Sequence, residues 1–296
     1  MTAPFVSTEW LNERLADPDV IVIDGSWYLP TMNRDPEAEY RDGHIPGAVR
    51  FDIDTVKDRS SSLPHMLPPP EAFAAEVGAL GIGNGMTIVV YDGAGLFAAP
   101  RVWWTFRTFG AQDVRILEGG FPAWKTEGRP VQTGGPRPRE ASTFTARLDP
   151  GAVADADAVK IALATGTAQV VDSRPADRFR GEAPEPRPGV RSGHMPGSLN
   201  VPFTDIVENG RLKDAGSLKA ALDKAGVDPD RPIVTSCGSG VSASIMSLAL
   251  ETIGRPAKAL YDGSWSEWGS REDLPAATGE PNPSPRGEGG AGAQRP

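Results

Sequence analysis

Residues 233–244 read IVTSCGSGVSAS. A short apolar run ends at Cys237, the only cysteine among 296 residues. A loop of Gly and Ser follows. From Val241 onward apolar residues recur at helical spacing, at Ile245, Leu248 and Ile253. Gly254 stands where such a helix closes, and Pro256 prevents its continuation. The pattern is strand, tight loop, helix. In open parallel sheets ligands gather at that point, outside the carboxyl ends of the strands. Gly238 and Gly240 give the loop dihedrals that other residues avoid. Successive backbone N–H groups can then point inward. With the positive end of the helix dipole they favour an anion at the centre. A sulfur placed there is a nucleophile rather than a small core hydrophobe.

The arrangement occurs earlier in the chain without the sulfur. MTIVVYDGAGL, from Met86, aligns with RPIVTSCGSGV, from Arg231, and sets Asp92 against Cys237. VIVIDGSWYLP (from Val20) is echoed by AQVVDSRPADRF (from Ala168), and RDGHIPGAVRFDID (from Arg41) by RSGHMPGSLNVPFTDI (from Arg191). VRILEGGFPAW (from Val114) is echoed by AKALYDGSWSEW (from Ala257). Asp24 and Asp172, His44 and His194, and Asp92 and Cys237 stand 148, 150 and 145 residues apart. Echoes in one order at nearly constant offset mark a duplicated domain.

Each half alternates short apolar runs (VIVID, TIVVY, VRIL; QVVD, PIVTS, AKALY) with helical patterns such as PEAFAAEVGALG, APRVWWTFRTFG and SLKAALDKAG. Runs that are apolar on both faces suit a parallel sheet covered by helices on both sides. The expected fold is therefore α/β, twice. The expected first domain covers residues 1–135 and the second 151–278. Between them lies a Gly- and Pro-rich linker at 136–150, and residues 279–296 lack core-forming side chains and read as a disordered tail.

A net charge of -9 argues against a nucleic-acid surface. One cysteine cannot make an internal disulfide, which suits a reducing compartment. No run approaches the ~20 apolar residues that span a bilayer, and the N-terminus MTAPFVSTEWLNERLADPD has no secretory pattern. A cytoplasmic protein with no membrane partner is expected. One Cys and three dispersed His offer no metal-ligand spacing. A Cys in an anion-binding loop also suits a phosphatase, but that chemistry needs an Arg six positions on, where Ala243 stands.

The tandem repeat, the paired GHIPG (43–47) and GHMPG (193–197), and the Cys loop resemble the two-domain rhodanese-like sulfurtransferases, over about residues 5–275. CGSGV, the DSR…RFRGEAPEPR segment and YDGSWSEW resemble the members that use 3-mercaptopyruvate. The resemblance implies a five-stranded, mainly parallel sheet in each domain, with catalysis only in the second. It implies a Cys237 persulfide that carries sulfur from 3-mercaptopyruvate to a thiol, thioredoxin or cyanide, with release of pyruvate and no cofactor. Arg178 and Arg187 are then the holders of the substrate's carboxylate and carbonyl. Gly238, Gly240, Val241 and Ser242 line the substrate. His65, in the Pro-rich stretch SSSLPHMLPPP, joins Ser239 and Asp54 in a Ser–His–Asp set across the domain interface.

His44 and His194 occur in both halves while the Cys occurs in one, so a structural role is expected for both, bonding a loop carbonyl. Rhodaneses specialised for thiosulfate carry two basic residues directly after the Cys. Here Gly238 and Ser239 are neutral, which favours a monocarboxylate donor over the thiosulfate dianion. Thiosulfate:cyanide transfer is the alternative, and a non-catalytic sulfur-carrier module a more distant one. Phe97 departs from the pattern, standing where relatives often have Tyr. Trp103, Trp104, Trp265 and Trp268 are expected in the core or domain interface.

Overall fold

Two sheets of five parallel strands organise the computed structural model, which describes residues 4–281. In the first, Phe5–Val6 (β1), Val20–Asp24 (β2), Val49–Arg50 (β3), Thr87–Tyr91 (β4) and Asp113–Leu117 (β5) lie in the order β1-β5-β4-β2-β3. Val153–Ala154 (β6), Gln169–Asp172 (β7) and Leu199–Asn200 (β8) belong to the second. Val207–Glu208 (β9) and Arg211–Leu212 (β10) pair separately as an antiparallel hairpin. Ile233–Ser236 (β11) and Ala259–Tyr261 (β12) complete the second sheet, in the order β6-β12-β11-β7-β8. Strand for strand this is the first topology again, as the echoes required.

The apolar runs are continuous because both sheet faces are covered, and alternate side chains go to opposite sides. Ile21, Ile23, Ile88 and Val90 enter one apolar layer, while Val22, Val89 and Tyr91 enter another. In the second sheet Val171, Ile233 and Leu260 take the first role, and Val170, Val234 and Tyr261 the second. The inner layers of the two sheets merge into one cluster. Between the sheets lie the helices Ala99–Thr108 and Val241–Thr252, packed against each other. Both follow directly from the strand that precedes them in the repeat, so the duplicated unit presents the same helix to its own copy. Trp103 and Trp104 lie in this layer, and Trp265 and Trp268 in the outer layer of the second domain.

The segment 136–150 is anchored along the first domain. Ser142 N–H donates to Gly78 O (2.9 Å) and Arg147 N–H to Phe109 O (2.9 Å). Phe144 inserts beside Phe73 and Phe106, with ring centroids 5.6 and 6.1 Å away. Its Gly and Pro content signals the domain boundary, whereas the one buried aromatic ties it down. The tail expected from residue 279 lies, beyond residue 281, outside the described residues. Among the described residues no helix is long and apolar enough to cross a membrane.

Each domain reaches a loop at the carboxyl end of the other's sheet, after β4 in the first and after β12 in the second. The turn of the β9–β10 hairpin meets the first-domain loop so closely that a Cβ on Gly95 would lie 2.7 Å from the Gly210 Cα. Conversely, the first-domain stretch after β3 reaches the second domain, where Leu67 N–H donates to Asp262 Oδ2 (2.8 Å).

Candidate active site

β11 delivers Cys237, 2% exposed, to its carboxyl end. The loop carbonyls are pulled to the back by the helix Ser264–Trp268. Trp265 N–H donates to Cys237 O (2.9 Å), and both the N–H and Oγ of Ser266 donate to Gly238 O (2.9 and 2.6 Å). Cys237 N–H donates to Ser264 Oγ (3.2 Å). Among the described residues, the backbone N–H groups from Gly238 to Ala243 have no acceptor. Unpaired N–H groups that converge at the opening of a helix favour an anion.

The first domain shows the same turn already filled. Asp92, fully buried, accepts the N–H of Ala94 through Oδ1 (2.9 Å) and those of Phe97, Ala98 and Ala99 through Oδ2 (2.7, 2.8 and 2.8 Å). A carboxylate built into the chain satisfies there the donors that stand free after Cys237.

The two loop glycines have different reasons. Gly240 takes φ +79°, the left-handed conformation that opens the helix. Gly238 does not lie in the left-handed region, which corrects the expectation of dihedral freedom there. A Cβ on it would sit 3.2 Å from Arg178 Nη2, so a side chain there would press on a cleft arginine.

Cys237, Gly238, Ser239, Val241 and Ser242 line a narrow cleft together with Trp27, Phe97, Phe203, Arg174, Arg178 and Arg187. Gly240 is not on its wall; it backs onto Arg101, whose Nη1 would be 2.5 Å from a Cβ at that position. Two wider clefts, of about 750 and 400 Å³, lie around Lys213 and beside Trp103, and Cys237 lines neither.

The three cleft arginines differ in how they are paired. Arg174 is bound by Asp172 (Nη2–Oδ2 2.8 Å) and by Glu185 (Nη1–Oε1 2.8 Å). Arg178 forms a short contact from Nη2 to Glu185 Oε2, with Nε 3.3 Å from Oε1. Arg187 makes no ion pair or hydrogen bond among the described residues. Burial pulls its pKa below the ordinary arginine value, and the field of Cys237 opposes that; a guanidinium stays charged regardless. Arg180, the neighbour most easily confused with Arg178, points away and pairs with Glu182 (2.7 Å).

His65 is 3% exposed and adopts φ +59°, a left-handed conformation rare outside glycine. Its Nδ1 lies 3.2 Å from Asp54 Oδ1. Trp27 Nε1 donates to the other oxygen of Asp54 (2.7 Å). The close approach of His65 comes first in holding Asp54 down to a pKa of about 2. Burial pushes His65 below its usual value, against the pull of Asp54. Two members of the expected set are therefore together. The third is not hydrogen-bonded to them: Nε2 of His65 has no partner, and Ser239 stands in the cleft wall without a bond to it.

His44 and His194 are framework residues. Their Nδ1 atoms face Tyr40 O (2.8 Å) and Phe179 O (2.9 Å), and their rings stack on the same residues at 3.9 and 4.0 Å. Phe97 stacks on Trp27 at 6.2 Å. Sequence reading missed Trp27, Arg174, Glu185, Arg101 and Asp262. One signal existed for Arg101, a charge inside the apolar stretch APRVWW, since a charge is rarely buried without a partner. Another was Glu185, one of two acids, with Glu182, between two arginines already singled out.

The Rhodanese-like domain description matches residues 7–127 and again 155–271. The chain belongs to the rhodanese-like family. Both of its rhodanese-like domains match relatives of the same tandem build. A 3-mercaptopyruvate sulfurtransferase of Escherichia coli (strain K12) is 46% identical over 275 residues, covering 93% of this chain and 98% of that one. A thiosulfate/3-mercaptopyruvate sulfurtransferase of Arabidopsis thaliana is 43% identical, covering 92% and 77%. The crystal structure of SseA from Escherichia coli, described with the 3-mercaptopyruvate sulfotransferases, superposes with a TM-score of 0.82 at 43% identity over 89% of this chain and 99% of that one.

Proposed function

We propose that the protein is a 3-mercaptopyruvate sulfurtransferase whose sulfur carrier is Cys237. The observation that carries this reading is the contrast between the two loops. Asp92 fills its ring of N–H donors with its own carboxylate, while the donors after Cys237 are free for an anion that forms and disappears during turnover. The names of the relatives point the same way.

The Cys237 thiolate attacks the sulfur of 3-mercaptopyruvate. An S–S bond forms, the C–S bond breaks, and its electron pair passes to carbon as the pyruvate enolate. The enolate takes the proton that left the transferred sulfur and departs as pyruvate, which leaves a Cys237 persulfide anion. Arg187, free of partners, receives the carboxylate, and Arg178 at the loop edge orients the carbonyl. His65, neutral through burial and backed by Asp54, relays the proton; substrate closes the gap between it and Ser239. The first domain supplies His65 and Asp54 and no nucleophile. A thiol, thioredoxin or cyanide then removes the outer sulfur. A carrier that works as a free thiol needs a reducing compartment, and we assign the protein to the cytoplasm.

The test is release of pyruvate from 3-mercaptopyruvate with a gain of one sulfur mass on the protein, both absent in Cys237→Ser. Thiosulfate is the competing donor, because it appears in the name of the Arabidopsis relative. A kcat/KM for thiosulfate equal to that for 3-mercaptopyruvate would reverse the assignment.

A further inference from the structure

In the cleft, the charges around Cys237 are set by one buried carboxylate that faces two cleft cations. Glu185 has a side chain 4% exposed and touches both Arg174 and Arg178. Asp172 already neutralises Arg174. Glu185 therefore cancels Arg178, and among the described residues Arg187 is left as the single cation of the cleft wall without an ion-pair partner. A wall with one spare positive charge matches a monoanion. A dianion brings a second charge for which no partner is free, and the neutral Gly238 and Ser239 add none.

We infer that Glu185 is a specificity-determining residue, which holds the cleft at one free cation and so selects monoanionic sulfur donors over dianionic ones. This rests on the sulfurtransferase reading above. Coulomb energy scales with ligand charge, so removing the carboxylate charge strengthens the pull on a dianion about twice as much in free energy as on a monoanion. Loss of Glu185 as a mere scaffold lowers the use of every donor. Loss of Glu185 as a charge filter raises the use of the dianion.

The experiment compares wild type with Glu185→Gln, which keeps the size and the hydrogen-bonding oxygen. The kcat/KM ratio of thiosulfate to 3-mercaptopyruvate is expected to rise about tenfold. A ratio that stays constant or falls in a folded variant overturns the inference. A second measurement needs no turnover: protection of Cys237 from iodoacetamide by sulfate and by acetate, compared in the wild type and in folded Glu185→Gln. Sulfate is expected to gain about tenfold on acetate in the variant relative to the wild type, and an unchanged ratio of the two sinks the inference. A wild type that releases no pyruvate from 3-mercaptopyruvate overturns the donor assignment instead, and the role of Glu185 is then decided by the anion comparison alone.

Discussion

Arg101, from the first domain, and Asp262, from the second, form an ion pair of 2.7 Å with side chains 2% and 3% exposed. The same Nη2 of Arg101 donates to the carbonyl of His65 (2.5 Å). The other oxygen of Asp262 accepts Leu67 N–H. The pair thus grips both ends of the turn that carries His65, and it does so beside Gly240 of the Cys loop. This buried contact ties the two domains together and holds His65 in its left-handed conformation.

Breaking that pair leaves a charge buried without compensation. Arg101→Gln or Asp262→Asn is expected to lower stability by about 3–5 kcal/mol. The double variant loses less than the sum, because neither charge is then stranded. Urea unfolding of the four proteins measures this, and strict additivity would mean that the two groups are not coupled. Turnover in the folded fraction of each single variant should drop along with the precise placing of His65.

The equivalence of the two loops gives a direct test of the anion site. A carboxylate at position 237 should occupy the free N–H groups as Asp92 occupies its own. Cys237→Asp is therefore expected to melt about 2–4 °C above Cys237→Ala, with no pyruvate release from either. A lower melting temperature for the Asp variant would show that the loop donors do not converge on that position.

The acid side of the pH profile should report His65. Burial lowers its pKa from the ordinary value of about 6.5. In the folded protein it stays neutral as pH falls through 6.5, while the unfolded chain takes up the proton there. Stability is thus complete above about 6.5 and is lost as pH falls below it. Asp54, held at about 2, stays ionised throughout. The kcat/KM profile should remain flat through 6.5 and bend downward only at lower pH, and His65→Asn should lack that bend. A wild-type midpoint above 6.5 contradicts the burial argument.

Arg187 and Arg180 form a matched comparison. Arg187 is the unpaired cation of the cleft, whereas Arg180 spends its charge on Glu182 outside it. Arg187→Gln is expected to raise KM for 3-mercaptopyruvate about 10–100-fold and to change kcat less. Arg180→Gln should leave both within about twofold. Equal effects in steady-state kinetics would remove Arg187 from substrate binding.

The duplicated fold was legible because it rests on local signals. Strand runs, helix spacing and the glycines that close them repeat at a nearly constant offset, and the periodicity of a buried strand depends on nothing distant. The Cys237 loop was legible for the same reason, since strand, glycines and helix are consecutive. What only the tertiary structure decided was the pairing of charges. Whether Arg178 or Arg187 is free depends on where Glu185 turns, and whether His65 is useful depends on Arg101 and Asp262 meeting across an interface. Such partners are chosen by three-dimensional proximity in a medium that penalises any unpaired charge, and no spacing along the chain encodes it. The anchoring of Phe144 and the unmade bond between Ser239 and His65 belong to the same class, set by packing between segments far apart in sequence.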